Sequence, residues 1–128
     1  MSWIISTENM RREDGHRVGG KGLALGLLAR GGFAVPKTLC VTCEAYQAYL
    51  SQTGLRERIL LELNRKAFKD MRWEEIWDCA TRIRNMFLRK PIPSDLAAQL
   101  KDAIDTFFKG KAVVVRSSAP EEDEAASS

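Results

Sequence analysis

The stretch that decides the fold is residues 18–32, which read Val-Gly-Gly-Lys-Gly-Leu-Ala-Leu-Gly-Leu-Leu-Ala-Arg-Gly-Gly. After Gly22, leucine and alanine recur at i, i+4, and this spacing predicts a helix with one apolar stripe that ends at Gly31. The glycines before the helix leave bare backbone at its N-terminus, beside Lys21. Free amides and the helix dipole attract anions there, but an ordinary glycine turn with a solvated lysine explains the residues equally well.

The rest of the chain alternates short apolar runs with longer periodic segments. Strands are predicted at residues 3–5, 38–42 and 112–115, the last as a continuous buried strand. Helices are predicted from Thr42 to Gly54 and over residues 55–67, 73–87 and 94–108. The expected fold class is therefore α+β, with a small sheet and about five helices.

Three short strands are few for five helices, since sheets commonly have five or six strands. We therefore expect residues 1–128 to be part of a domain whose remaining strands lie elsewhere. Such a part would expose a sheet edge and an apolar face, and these surfaces pair with neighbours. The sequence thus predicts that the isolated chain self-associates.

Composition narrows the class of protein. The 128 residues are 45% hydrophobic and 29% charged, as in ordinary globular domains. No apolar run approaches the roughly 18 residues that span a bilayer, and the N-terminus lacks a basic start, so we expect a cytoplasmic protein without a membrane partner. The net charge is +3 and the basic residues form no dense stripe, which argues against nucleic acid as a partner.

The three cysteines, Cys40, Cys43 and Cys79, predict free thiols in a reducing compartment. Cys40 and Cys43 form a lone C-x-x-C, which is either packing material or a redox pair. A zinc site would need further ligands, and His16, the single histidine, is far away in sequence and is interpreted as a solvated loop residue. No metal ligand is assigned.

Arg116 follows the predicted strand 112–115 and precedes two serines. Ligands of open α/β sheets gather at the carboxyl ends of strands, where a guanidinium can hold phosphate oxygens in a bidentate fork. The alternative is an ion pair with a carboxylate nearby, such as Glu122 or Asp123.

Three segments together resemble the pyruvate phosphate dikinase and phosphoenolpyruvate synthase family. The first is Val18-Gly19-Gly20-Lys21-Gly22-x-x-x-Gly26. The second is Gly32-Phe33-Ala34-Val35-Pro36 followed by Cys40-Val41-Thr42-x-Glu44-Ala45-Tyr46. The third is Val113-Val114-Val115-Arg116-Ser117-Ser118-Ala119-x-x-Glu122-Asp123. Their order and spacing along the whole chain make the resemblance specific.

The resemblance implies the N-terminal part of an ATP-grasp nucleotide-binding domain. It implies that Lys21 and Arg116 bind the phosphates of ATP, whereas Ser117, Ser118, Glu122 and Asp123 are carried over only as members of the motif. It assigns no catalytic residue and no metal ligand to this chain. Mg²⁺, the glycine-rich phosphate loop, a phosphohistidine domain and a barrel domain are expected in the rest of a full-length enzyme, so this chain alone is expected to be inactive.

The chain departs from the family pattern in two places. Pro36-Lys37-Thr38 stands where the family usually has Pro-Pro-Gly, and Pro120-Glu121 stands where it usually has Thr-Ala. These loops are expected to differ in shape.

The implied function is the ATP-binding part of a phosphotransferase that phosphorylates a histidine and then a small-molecule acceptor. Pyruvate is the expected acceptor, as in a phosphoenolpyruvate synthase, with rifampin or a glucan as the alternatives within the family. Two hypotheses from other classes stay open. One is a non-catalytic module for assembly, and the other is a small redox protein that uses Cys40 and Cys43.

Overall fold

The computed structural model describes residues 3–119, which form two strands, five α-helices and three short 3-10 helices. In chain order the strands and α-helices are β1 (Ile4–Ser6), α1 (Gly15–Arg30), β2 (Leu39–Val41), α2 (Cys43–Thr53), α3 (Leu55–Leu63), α4 (Trp73–Arg89) and α5 (Ser94–Phe108). The 3-10 helices cover Thr7–Asn9, Arg12–Asp14 and Phe68–Asp70. The α+β class and the number of helices predicted from the sequence are confirmed.

These elements belong to two compact units, one of residues 3–46 with 98–119 and one of residues 47–97. In the first unit β1 and β2 pair antiparallel, with Ile5 opposite Cys40. The ladder is extended at one end by the bond from Thr42 N to the carbonyl of Trp3, 2.9 Å long. The core beside this sheet contains Ile5, Met10 and Val18, with Leu23 and Cys40 packed against them. Two of the three predicted strands are thus confirmed.

The third predicted strand is wrong. Residues 112–115 adopt no regular secondary structure, and the side chains of Val114 and Val115 are 83% and 90% exposed. A strand needs a neighbour to accept its backbone hydrogen bonds, and no other strand within residues 3–119 lies beside this segment. The apolar run therefore has β propensity without the partner that would bury it.

Helix α1 begins earlier than predicted and is broken at Gly19. The sequence indicated a helix after the glycine cluster, but the structure starts it at Gly15 and then departs from helical geometry at Gly19, where φ is 79° and ψ is 172°. The helix resumes after this kink, so Lys21 lies in the first turn of the second helical stretch. His16 lies on the first stretch, exposed, and not in a loop.

The kink at Gly19 meets the segment that follows α5. Ser118 Oγ donates a 2.6 Å hydrogen bond to the carbonyl of Val18, across 100 positions of sequence. A Cβ placed on Gly19 would lie 2.5 Å from Ser118 Oγ and 3.0 Å from the carbonyl of Ala119. Glycine is therefore required here twice, once for its positive φ and once for this close approach.

In the second unit, helices α3 and α4 pack together around partly buried polar groups. Glu62 on α3 is buried and forms ion pairs with Arg65 and with Arg82 on α4. The Tyr49 hydroxyl donates to the carbonyl of Lys90 over 3.1 Å. These polar contacts accompany the burial of Tyr49, Leu50, Leu55, Cys79 and Leu96 in this unit.

Helix α4 begins at Trp73, as predicted, but part of its apolar side is exposed. The indole rings of Trp73 and Trp77 stack on each other, 6.1 Å apart, and are 70% and 64% exposed. The buried residue of this helix is Cys79. Periodicity thus located the helix correctly, whereas the burial of its face depends on which surfaces pack against it.

We expect Gly19→Ala to destabilise the chain more than Gly54→Ala. Both glycines have positive φ, but nothing lies within 4 Å of a Cβ on Gly54. In Gly19→Ala the substituted residue must adopt a backbone region that is nearly exclusive to glycine, at a cost of about 1–3 kcal/mol. Its Cβ must also displace Ser118 and Ala119. Urea unfolding of the two variants measures the difference. Equal losses of unfolding free energy would contradict the close approach.

Acid should weaken the second unit through Glu75. Lys66, and after it Arg72, lower the pKa of Glu75 from 4.5 to about 2. A carboxylate whose pKa is lower in the folded chain stabilises it fully above its unfolded value, and this contribution disappears as the pH falls from about 4.5 through about 2. Urea unfolding at pH 6 and at pH 3 should therefore differ less in Glu75→Gln than in the unsubstituted chain.

Glu74→Gln is the control for this experiment, since Glu74 lies in the same first turn of α4 and has the same interaction with the helix dipole. An identical pH dependence in the Glu74 and Glu75 variants would show that the ion pairs with Lys66 and Arg72 do not stabilise the fold.

Candidate functional site

The two cations singled out in the sequence both belong to the first unit and are both exposed. Lys21 follows the kink of α1, and Arg116 lies in the irregular segment after α5. Of the motif residues near Arg116, the structure describes Ser117 and Ser118. Glu122 and Asp123, which are also the alternative partners of Arg116, and the departure at Pro120-Glu121 lie outside the described residues.

The contact between Ser118 and Val18 joins the first and third motifs. Lys21 is three residues beyond Val18 and Arg116 is two residues before Ser118, so chain connectivity keeps both cations close to this hydrogen bond. The fold therefore brings together two segments that are about a hundred residues apart in sequence. It does so through backbone and a small hydroxyl, which leaves the long basic side chains exposed.

An ion-pair network lies directly before the kink. Arg17 donates from Nε to Glu44 Oε1 over 2.6 Å and from its NH1 nitrogen to Asp14 Oδ1 over 3.1 Å. The bond to Glu44 raises the pKa of Arg17. Burial pushes the pKa of Glu44 upward, but hydrogen bonds from its own backbone N–H and from Arg17 outweigh burial and hold it below the ordinary value. All three side chains are thus charged at neutral pH.

Sequence reasoning missed this network. Glu44 was quoted as part of the second motif without a role, and Arg17 carried no signal beyond its position next to the glycine cluster. The two residues are 27 positions apart. A spacing of this length has no helical or strand period, so only the fold pairs them.

The two cysteines of the C-x-x-C have the positions expected of packing material. Cys40 lies on β2 and Cys43 is the first residue of α2, and both are free and half-buried. Burial raises the pKa of the Cys40 thiol. Burial, and after it the charge of Glu44, raises the pKa of Cys43. Reactive thiols need the opposite shift, so this environment opposes the redox hypothesis.

Neither Lys21 nor Arg116 lines either of two cavities in the structure. A shallow cavity of about 390 Å³ in the first unit is lined by Ile4, Ser6, Glu8, Asn9, Leu39, Ala103, Thr106 and Phe107. A second, of about 320 Å³, lies between α3 and α4 and is lined by Glu62, Arg65, Lys66, Met71, Glu75, Asp78, Cys79 and Arg82. The side chains of Lys21 and Arg116 both lie exposed on the surface of the first unit.

Residues 3–119 contain neither a candidate metal site nor a candidate membrane span. Within that range no three histidine, cysteine or acidic side chains are grouped so that they could hold a metal ion. Nor does that part of the chain contain a helix with the length and apolar character needed to cross a membrane.

Comparison with known proteins identifies the family. Residues 15–128 match the family described as pyruvate phosphate dikinase, AMP/ATP-binding domain. The chain is 36% identical to phosphoenolpyruvate synthase of Neisseria meningitidis serogroup B, covering 95% of this chain and 16% of that protein. It is 31% identical to rifampicin phosphotransferase of Bacillus subtilis, covering 95% of this chain and 14% of that protein.

A third relative is phosphoenolpyruvate synthase of Pseudomonas aeruginosa, 30% identical over 96% of this chain and 16% of that protein. The chain thus spans about one sixth of the length of these relatives, which have two different names, phosphoenolpyruvate synthase and rifampicin phosphotransferase. The match over residues 15–128 includes all three motifs, with Arg17 and Glu44 of the ion-pair network, whereas Asp14 lies just before the matched residues. On this match, the chain belongs to the family of the pyruvate phosphate dikinase AMP/ATP-binding domain.

Proposed function

We propose that this chain binds ATP as the nucleotide-binding part of a phosphotransferase, with Lys21 and Arg116 holding the phosphates. The observation that carries the proposal is the hydrogen bond from Ser118 to Val18, which unites the segments of the two cations. Family membership supplies the nucleotide. The proposal follows from the two together, since neither cation alone would distinguish a nucleotide site from a basic surface.

The two cations have complementary chemistry for a triphosphate. Lys21 is a compact point charge at the first turn of a helical stretch, where free backbone amides also face an anion. Arg116 has a planar fork that binds two oxygens of one phosphate group. Phosphoryl transfer depends mainly on position and charge neutralisation, so these side chains would orient ATP without covalent participation.

The whole enzyme is proposed at the level of its family. The fold is an ATP-grasp domain in its N-terminal part, and the protein would transfer phosphoryl from ATP to a histidine and then to a small-molecule acceptor. Pyruvate is the acceptor that we favour, because the relative named above with the highest identity, 36%, is a phosphoenolpyruvate synthase. Rifampin is the alternative that the Bacillus relative supports. We propose a cytoplasmic location for this chemistry.

Mg²⁺ accompanies ATP in phosphoryl transfer, where it neutralises charge on the phosphates. Residues 3–119 offer no cluster of ligands for it. We therefore assign the metal to no side chain described here, and residues 1–128 are proposed to be a partial domain that binds nucleotide without turnover.

Lys21→Ala and Arg116→Ala should each weaken the binding of ATP to the chain by at least about tenfold, since a hydrogen bond to a charged group contributes roughly 1.5–3 kcal/mol. Their effect on the binding of adenosine, which has no phosphate, should be small. Isothermal titration with ATP and adenosine measures both. The matched controls are Lys69→Ala and Arg58→Ala, which remove exposed cations from the other unit.

The proposal is wrong if the chain does not bind ATP, or if the four alanine variants bind it equally well. Equal loss of ATP and adenosine affinity in Lys21→Ala would place that residue away from the phosphates.

We also propose that the chain self-associates through its exposed apolar side chains. The side chains of Leu61, Phe68, Trp73 and Leu88 are each at least 70% exposed. Association would remove this apolar surface from water. Sedimentation velocity between low and high micromolar concentration should show a rising average mass. A constant monomer mass over this range would contradict the proposal.

A further inference from the structure

The second motif has no part in the proposed phosphate contacts, yet its Glu44 forms an ion pair with Arg17, two residues before the kink at Gly19. Glu44 is the second residue of α2, directly after the short connection from β2. Its carboxylate accepts from Arg17 Nε over 2.6 Å. Arg17 in turn belongs to the first helical stretch of α1, one position before Val18.

Asp14 completes the network from the other side. Its Oδ1 accepts from Arg17 over 3.1 Å, and its Oδ2 accepts from the backbone N–H of Arg11 over 3.0 Å. The side chains of Arg17 and Asp14 are 18% and 16% exposed. Ion pairs that are this far withdrawn from water and share one guanidinium are more strongly constrained than isolated surface pairs.

The network lies directly before the kink, so it can restrain the residues that form the candidate site. The carbonyl that accepts from Ser118 belongs to Val18, and the break in the helix follows at Gly19. A rotation of the first helical stretch would therefore move the acceptor of Ser118 and the start of the stretch that bears Lys21. In the stretch from Gly15 to Val18, Val18 packs into the core, and the ion pairs of Arg17 add a second restraint on that rotation.

We propose that Glu44 and Asp14, through Arg17, are positioning residues that set the geometry of the kink and thereby of the nucleotide site. The inference rests on the proposed function, because it deepens the account of the same site. The three motifs are then linked: Glu44 forms an ion pair with Arg17, and the carbonyl of Val18 accepts a hydrogen bond from Ser118. These two contacts fix the segments that bear Lys21 and Arg116. Arg17 already has two carboxylate partners, so we assign it to this role and not to phosphate.

The test uses Glu44→Gln, which keeps the size of the side chain and removes its charge. The matched control is Glu62→Gln, which breaks an arginine–glutamate pair of the same type in the other unit. Two quantities are measured for the unsubstituted chain and for each variant. One is the set of amide chemical shifts of residues 19–22 and 113–119, and the other is the dissociation constant for ATP.

In Glu44→Gln we expect the amide chemical shifts of both segments to change and ATP to bind about tenfold more weakly, the size of an ordinary coupling between linked sites. In Glu62→Gln the amide shifts of these segments and the affinity for ATP should not change, even if the chain becomes less stable. A merely structural role for Glu44 would give the same result in both variants and would overturn the inference.

If Glu44→Gln does not fold, Arg17→Lys provides the same comparison, because lysine keeps the charge but cannot bond both carboxylates with a planar fork. If the unsubstituted chain does not bind ATP, the proposed function fails, and the amide shifts decide the inference by themselves. Unchanged shifts of residues 19–22 and 113–119 in the variant would then contradict it.

Discussion

The hydrogen bond from Ser118 Oγ to the carbonyl of Val18 is the constraint on which the candidate site depends. It joins the segments around residues 18 and 118, next to the position where α1 is interrupted because the φ and ψ of Gly19 are not helical. Residues other than glycine rarely adopt this conformation. The missing side chain at Gly19 leaves room for Ser118 and Ala119. The proximity of the two segments that bear Lys21 and Arg116 is a consequence of this one contact.

The site is stabilised by one buried side chain and by electrostatic contacts. The segment with Arg116 is irregular and exposed, whereas the first stretch of α1 contributes Val18 to the core. The network around Arg17 adds ion pairs at the residue next to Val18. This arrangement suits a surface that must leave its cations accessible to an anion, since buried cations would be costly unless they were fully paired.

Much of the fold follows from local sequence, because its helices have local signals. Thr42 caps α2, with a 3.4 Å bond from Ala45 N to its hydroxyl, and α5 begins at Ser94 as predicted. The strand predicted at residues 112–115 failed because pairing needs a distant partner. The start of α1 was missed because the residues from Gly15 to Val18 show no apolar periodicity. Arg17 in this turn pairs with Glu44, 27 positions away, and no local pattern predicts such a pair. The motifs identified the candidate cations, whereas only the fold identified the contact between their segments.

The central claim is that nucleotide phosphates bind where the first and third motifs meet. A titration of the isotopically labelled chain with ATP, followed by amide chemical shifts, tests it most directly. The account predicts that the largest shifts belong to residues 19–22 and 116–119, and that adenosine shifts these amides much less. Largest shifts among residues 47–97, or equal effects of ATP and adenosine, would contradict it.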